Sequence, residues 1–200
     1  MIKDPRQTME EYKMGLAVEV ATRSNCFKNQ VGAILLEDDR IRAVGYNGTV
    51  EGYADCFAGG CPRCKDPKVL SGTQLDRCIC VHAEENALIS AARFGIRVEG
   101  AECYVTHEPC LSCTKLIIQA HVARVVYLKD YQYPSENESD HDKSRKAMRH
   151  STVTEFVQLS AIIPTDQLKA SLGRWDERLG AVKMALLATS IASGVFTPID

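Results

Sequence analysis

The chain has 200 residues, a formal net charge of −2, 45% hydrophobic residues and 25% charged residues. That is enough chain for one domain with a substantial core, and its near-neutral charge argues against a surface built to grip long nucleic acid. No apolar run approaches a membrane span and Met1-Ile2-Lys3-Asp4-Pro5-Arg6 lacks a signal-peptide apolar region, so a cytoplasmic location is expected; nine cysteines in a reducing compartment then read as ligands before disulfides.

Thr8 and Glu11 have the spacing of a capping box. Met9, Tyr12, Leu16 and Val20 follow at helical intervals, which predicts an amphipathic helix to about Arg23. Val31-Gly32-Ala33-Ile34-Leu35-Leu36 reads as a buried strand. Asp38-Asp39 turns the chain, and Ile41 to Tyr46 returns as a second strand. From Gly48 to Val81 there is little periodicity and much Gly, Pro and Cys, so the stretch 49–81 is a long insertion that a hydrophobic core cannot order. A helix at His82, a strand over Ala101 to Thr106, a helix from Cys110 and a strand over Val122 to Leu128 come next. Tyr131 to Asp140 is polar and reads as a loop, followed by a short helix around Lys143–Arg149 and a strand around Val153–Leu159. The alternation predicts a three-layer α/β/α domain over 1–163 with a mixed central sheet. The extension 164–200 is helical: Leu168, Leu172, Trp175, Leu179, Val182 and Leu186 form an a/d seam. That seam packs either on its own domain or against another subunit. The intersubunit role is slightly favoured, since the domain already has helices to cover its sheet.

The chemistry concentrates in His82-Ala83-Glu84 and Pro109-Cys110-Leu111-Ser112-Cys113. One imidazole and two thiolates give three protein ligands for zinc, and three ligands leave a fourth tetrahedral position open, as catalytic sites do. Glu84 is close enough in sequence to handle the protons of a water there. Alone, Cys-x-x-Cys fits a redox pair or half of a structural zinc site. In this order and with Pro109 before the first cysteine, the two halves match the established pattern of zinc deaminases, in which the glutamate is general acid/base and not a ligand. Both helix N-termini would face the metal, where their dipoles favour thiolate and hydroxide.

Cys56, Cys61, Cys64, Cys78 and Cys80 fall within the insertion. Cys61-Pro62-Arg63-Cys64 is like a zinc knuckle that Cys78-Ile79-Cys80 could close. A structural zinc takes four ligands. Cys56, Cys61, Cys64 and Cys78 are the expected set, with Cys80 as substitute, because Cys80 sits two residues before His82. Buried or redox thiols are the alternative.

Across Met9 to Leu159 the chain resembles deoxycytidylate (dCMP) deaminases. The resemblance rests on Val31-Gly32-Ala33, Gly45-Tyr46-Asn47-Gly48, His82-Ala83-Glu84-Glu85-Asn86-Ala87, Pro109-Cys110-Leu111-Ser112-Cys113, Ile118-Gln119-Ala120 and Val125-Val126-Tyr127. The cysteine-rich stretch is most similar to the fungal branch. The zinc motif is shared with cytidine, guanine, transfer-RNA adenosine and nucleic-acid deaminases; the Gly-Tyr-Asn-Gly stretch narrows the resemblance to deoxynucleotides. It implies that Asn47 contacts the deoxyribose and that Tyr131 packs at the nucleotide site. It also implies that the loop containing Ser24 and Lys28 helps to hold phosphate. Two stretches depart from the family pattern: Gln119-Ala120-His121-Val122 stands where Gln-Ala-Gly-Ile is common, and Ser24-Asn25-Cys26-Phe27-Lys28 replaces a different polar run.

The resemblance therefore implies hydrolytic deamination of dCMP to dUMP with release of ammonia, feeding thymidylate synthesis. Glu84 would shuttle protons to N3 and the departing amine. Catalytic zinc, a second structural zinc, a homo-oligomer and dCTP and dTTP as effectors are expected, with Arg93 as an effector or intersubunit contact. The alternatives are deamination of dCTP or of a free nucleoside, a catalytically silent zinc-binding regulator, and editing of nucleic acid. The last requires a basic channel with stacking aromatics, which this composition does not offer.

Overall fold

The computed structural model describes residues 6–130, 140–163 and 165–192. A five-stranded sheet runs in the order β2-β1-β5-β6-β7. Its strands are β1 (Gly32–Glu37), β2 (Arg40–Tyr46), β5 (Glu102–His107), β6 (Arg124–Lys129) and β7 (Glu155–Gln158). The β1–β2 and β1–β5 pairs are antiparallel; β5–β6 and β6–β7 are parallel. The sheet is therefore mixed, as expected. Asp38 and Asp39 both adopt positive φ, at 49° and 59°, the left-handed conformation that a tight two-residue hairpin turn demands. A separate pair, β3 (Gly48–Thr49) with β4 (Cys80–Val81), closes the two ends of the insertion. Within the insertion the one α-helix, α2, is Pro62–Lys65.

Side chains alternate across β1 and sort into two cores. Ala33 and Leu35 pack with Ala83, Ala87 and Ala91 of α3 (Ala83–Arg93), Ile117 of α4 (Leu111–Gln119), and Val105 and Val125. Ile34 and Leu36 pack with Tyr104, Val126 and Leu128, under Met14, Ala17 and Val18 of α1 (Met9–Ala21) and Trp175 of α6 (Thr165–Ala192). Helix α5 (Asp140–Ser151) sits beside α4. This is the three-layer arrangement.

Two glycines explain how closely the layers approach. A Cβ on Gly32 would stand 2.2 Å from the Ala17 carbonyl oxygen, and one on Gly45 would stand 2.2 Å from the Ala83 carbonyl oxygen. Only glycine lets α1 and α3 lie that near the strands. Gly45 thereby seats the helix that begins beside His82.

The Thr8–Glu11 capping box forms as expected. The buried face of α1 differs from the one its large apolar residues predict. Met9 and Tyr12 are 50% and 49% exposed, while Met14, Ala17, Val18 and Ala21 are buried. The cause is Gly32, which draws the small Ala17–Ala21 face onto β1; Leu16 and Val20 end half-buried at its margin.

The terminal seam also departs from the favoured expectation. Leu168, Leu172, Trp175 and Leu179 pack into the core of their own chain beneath α1. Ser171 Oγ donates to Glu11 at 2.8 Å, and Arg178 pairs with Glu19 at 2.7 Å. The domain did not have helices enough: α6 shares with α1 the cover of one sheet face. Leu186 lies outside the residues whose side chains are described.

Candidate active site

His82 is the N-cap of α3 and Cys110 the N-cap of α4. Both helices start at the edge of the same cavity, so the two capping residues face each other. The Glu85 carboxylate accepts from the His82 backbone N–H at 2.9 Å and fixes the first turn of α3. Pro109 ends β5's extension and delivers Cys110 to the cap, and Cys113 lies one turn later on the same face.

The His82 Nδ1 atom lies 3.4 Å from Cys110 Sγ and 3.3 Å from Cys113 Sγ. All three donor atoms lie within 4.8 Å of one another. Bonds of about 2.0–2.3 Å to a tetrahedral zinc set edges of about 3.3–3.8 Å between its ligand atoms, so these three fit zinc with one position to spare. Cys110 is drawn down to about 4, first by the hydrogen bond from the Cys113 thiol and also by His82. A thiolate is therefore available to a cation.

Glu84 is 5% exposed and lines a cavity of about 630 Å³ together with His82 and Cys110. Burial pushes its carboxyl up to about 7; the His82 charge opposes that and the Cys110 thiolate adds to it. A carboxyl that exchanges its proton near neutrality is suited to general acid/base work.

Asn47 is buried and also lines the cavity. Its amide is largely occupied by the protein. Oδ1 accepts from Ser24 Oγ at 2.7 Å and from the Val31 N–H at 2.8 Å, and Nδ2 donates to the Asn29 carbonyl at 2.9 Å. One Nδ2 hydrogen is left over for a ligand. Ser24 is not on the cavity wall; it is buried, holds Asn47, and accepts from the Cys26 N–H at 3.1 Å. Lys28 is on the wall, its ammonium donating to the Asp66 and Val69 carbonyls at 2.9 and 2.7 Å. It clamps the insertion and retains one hydrogen. Arg93 stands apart, at the far end of α3, exposed and 3.5 Å from Glu51. Tyr131 lies outside the described residues.

Three wall residues carry no motif and were missed. His107 is kept neutral, its imidazole drawn down to about 4 by burial and by Lys129. Lys129 itself faces the cavity and pairs with Asp176 at 2.7 Å. Glu108 anchors the loop before Cys110 by accepting from Arg145 at 2.6 Å and Arg149 at 2.5 Å. The strand-end position of His107 and Lys129, at the carboxyl ends of parallel strands, was the available signal.

The insertion's sulfurs do not group as Cys56, Cys61, Cys64 and Cys78. Cys26, Cys56, Cys64 and Cys80 form one set and Cys61, Cys64, Cys78 and Cys80 another. Cys80 is a full member of both, because β4 runs it past the cluster before the chain turns into α3. Cys26 comes from outside the insertion.

Residues 7–129 match the family described as the cytidine and deoxycytidylate deaminase zinc-binding region. The chain belongs to that family. A deoxycytidylate deaminase of Saccharomyces cerevisiae is 41% identical over 132 residues, which cover 66% of this chain and 41% of the yeast protein. One from Mycobacterium phage D29 is 40% identical over 134 residues, 62% of this chain and 98% of the phage protein. The chain thus spans about two-fifths of the length of its yeast relative and nearly all of the phage one. Among solved structures, the dCMP deaminase of cyanophage S-TIM5 in complex with dCMP and dUMP superposes with a TM-score of 0.58 at 28% identity, covering 78% of this chain and 99% of that one. The fold is that of this deaminase, and zinc is the metal of the family's binding region.

Proposed function

We propose that the protein deaminates dCMP to dUMP with release of ammonia. The observation that carries this reading is the buried Glu84 carboxyl beside a three-donor His82–Cys110–Cys113 site whose fourth side opens onto the cavity. Zinc held there supplies a Lewis acid that makes water reactive near neutral pH. Glu84 accepts one proton from the attacking water and passes it to N3 of the cytosine as the C4–O bond forms and C4 becomes tetrahedral. It then carries the proton of the new C4 hydroxyl to the amine, the C4–N bond breaks, and one water is consumed per ammonia released.

The cavity walls fit a nucleotide. Neutral His107 offers an imidazole hydrogen-bonding atom, Asn47 one amide hydrogen, and Lys28 and Lys129 positive charge for a phosphate. Tyr131, one residue beyond Asp130 on the wall, remains the proposed aromatic partner of the nucleotide. The relatives and the structural neighbour named for dCMP support this substrate over a triphosphate or free nucleoside. Ammonia release from dCMP, dCTP, cytidine and deoxycytidine tests it.

The reading retains a zinc site in the cysteine-rich insertion, supported by the two four-sulfur sets. It retains dCTP and dTTP as effectors, and a homo-oligomer supported by exposed Val44, Tyr46, Val50 and Tyr53 around a groove on the open edge strand β2. Arg93, near that edge through Glu51, stays the proposed intersubunit or effector contact. No described helix is long and apolar enough to cross a membrane.

A further inference from the structure

Six cysteines meet at one point beside the cavity. Cys26 comes from the loop after α1, Cys56, Cys61, Cys64 and Cys78 from the insertion, and Cys80 from β4. They divide into two four-sulfur sets that share Cys64 and Cys80. Cys61 and Cys64 each lie 3.8 Å from Cys78, and Cys26 lies 4.0 Å from Cys64. Disulfide sulfurs stand about 2.05 Å apart, so these separations are not bonds. They match the edges of about 3.8 Å in a tetrahedron of four sulfurs about 2.3 Å from zinc.

Little apolar packing holds the cluster: among the described hydrophobic residues its buried members are all cysteines, with Phe27 and Cys78 half-buried against them. One zinc in either set would leave two further thiols in the cluster without a metal. Two zincs need eight ligand positions, and six thiolates supply eight when two of them bridge. The shared pair of residues is the pair that bridging requires.

We infer that these thiolates hold a binuclear zinc cluster in which Cys64 and Cys80 bridge both metals. Cys26 and Cys56 complete one tetrahedron, and Cys61 and Cys78 complete the other. The inference rests on the reading that the insertion binds zinc and adds its stoichiometry and ligands. Binding two Zn²⁺ displaces six thiol protons and leaves a net charge of −2 on the cluster. Arg63 answers that charge: it is 3% exposed and its Nη1 lies 3.6 Å from bridging Cys64. The Phe27 N–H donates to Cys56 Sγ at 3.4 Å. The cluster also ties the loop bearing Lys28 and Asn29 to β4, which ends at Val81 immediately before His82, so it positions one wall of the active site.

The full chain, produced in zinc-replete medium, should carry three zinc ions by elemental analysis and native mass spectrometry, one at His82 and two in the cluster. Zinc-edge X-ray absorption should show a zinc–zinc vector of about 3 Å, as edge-sharing tetrahedra with bonds of about 2.3 Å impose. Two zincs with no such vector overturn the binuclear cluster but leave a single zinc in the insertion. One zinc per chain overturns both readings. Cys26→Ala should abolish the vector, and persistence of the vector overturns the role of Cys26. Should that variant fail to fold, the wild-type count and vector still decide.

Discussion

Glu84 sits where burial raises its carboxyl to about 7, two residues past His82 of the proposed zinc site but not itself among that site's three donors. Glu84→Gln keeps the shape and removes the proton carrier. Its kcat should fall by about a hundredfold or more, the usual weight of such a shuttle, with the zinc content unchanged. Steady-state kinetics beside metal analysis checks this, and loss of zinc together with activity would show the carboxylate to be a ligand. Asn47 has a double role. Because its amide joins Ser24, Asn29 and Val31, Asn47→Ala should cost stability of about 1–3 kcal/mol by leaving buried partners unmade. Its kcat/KM for dCMP should drop as well. Chemical denaturation reads the first effect; an unshifted midpoint with impaired kcat/KM would assign the amide to substrate alone. The candidate site residues were legible because each half of the site is local: an N-cap and the first turn of one helix carry both members. The internal bonding of Asn47 was not, since its partners on the α1–β1 loop meet it only after β1 and β2 pair.

At the scale of elements, the strands followed from short apolar runs between turn residues, and the paired helix starts from the spacing of the His82 and Cys110 motifs. The faces of α1 and α6 did not. Large apolar residues marked the wrong stripe of α1, because close packing onto Gly32 favours alanines, and no sequence pattern says which partner an a/d seam will find. Trp175 is 7% exposed, against Gly15 of α1. Trp175→Ala should lower unfolding stability by about 3–5 kcal/mol while light scattering reports an unchanged oligomeric mass. A lower mass with unchanged stability would return α6 to an intersubunit role. The departure at His121 also has a local cause. The residue follows the end of α4 with φ 55°, and the Val122 N–H reaches back to the Ile117 carbonyl, a helix stop that favours glycine. The side chain is exposed, so His121→Gly should stabilise the fold by about 0.5–1 kcal/mol, the relief of a left-handed residue less the added chain entropy. Thermal unfolding checks the sign.

Over the whole molecule, one cavity joins the His82 site, the sulfur cluster and two lysines into a single working surface. Sequence spacing picked out the insertion's cysteines but not Cys26 as their neighbour, because Cys26 lies thirty residues before Cys56 and reaches it only through the folded α1–β1 loop. The same long-range closure brings Lys129, from a strand end far along the chain, to the cavity that Lys28 also lines. The proposal that those walls take a cytosine ring joined to a sugar phosphate is the central claim. The measurement that tests it most directly is ammonia release by the zinc-loaded full chain from dCMP, dCTP, deoxycytidine and cytidine at equal concentration. The account predicts turnover of dCMP with the highest kcat/KM of the four and dUMP as product. Faster turnover of a free nucleoside or of dCTP, or no release from any of them, would contradict it.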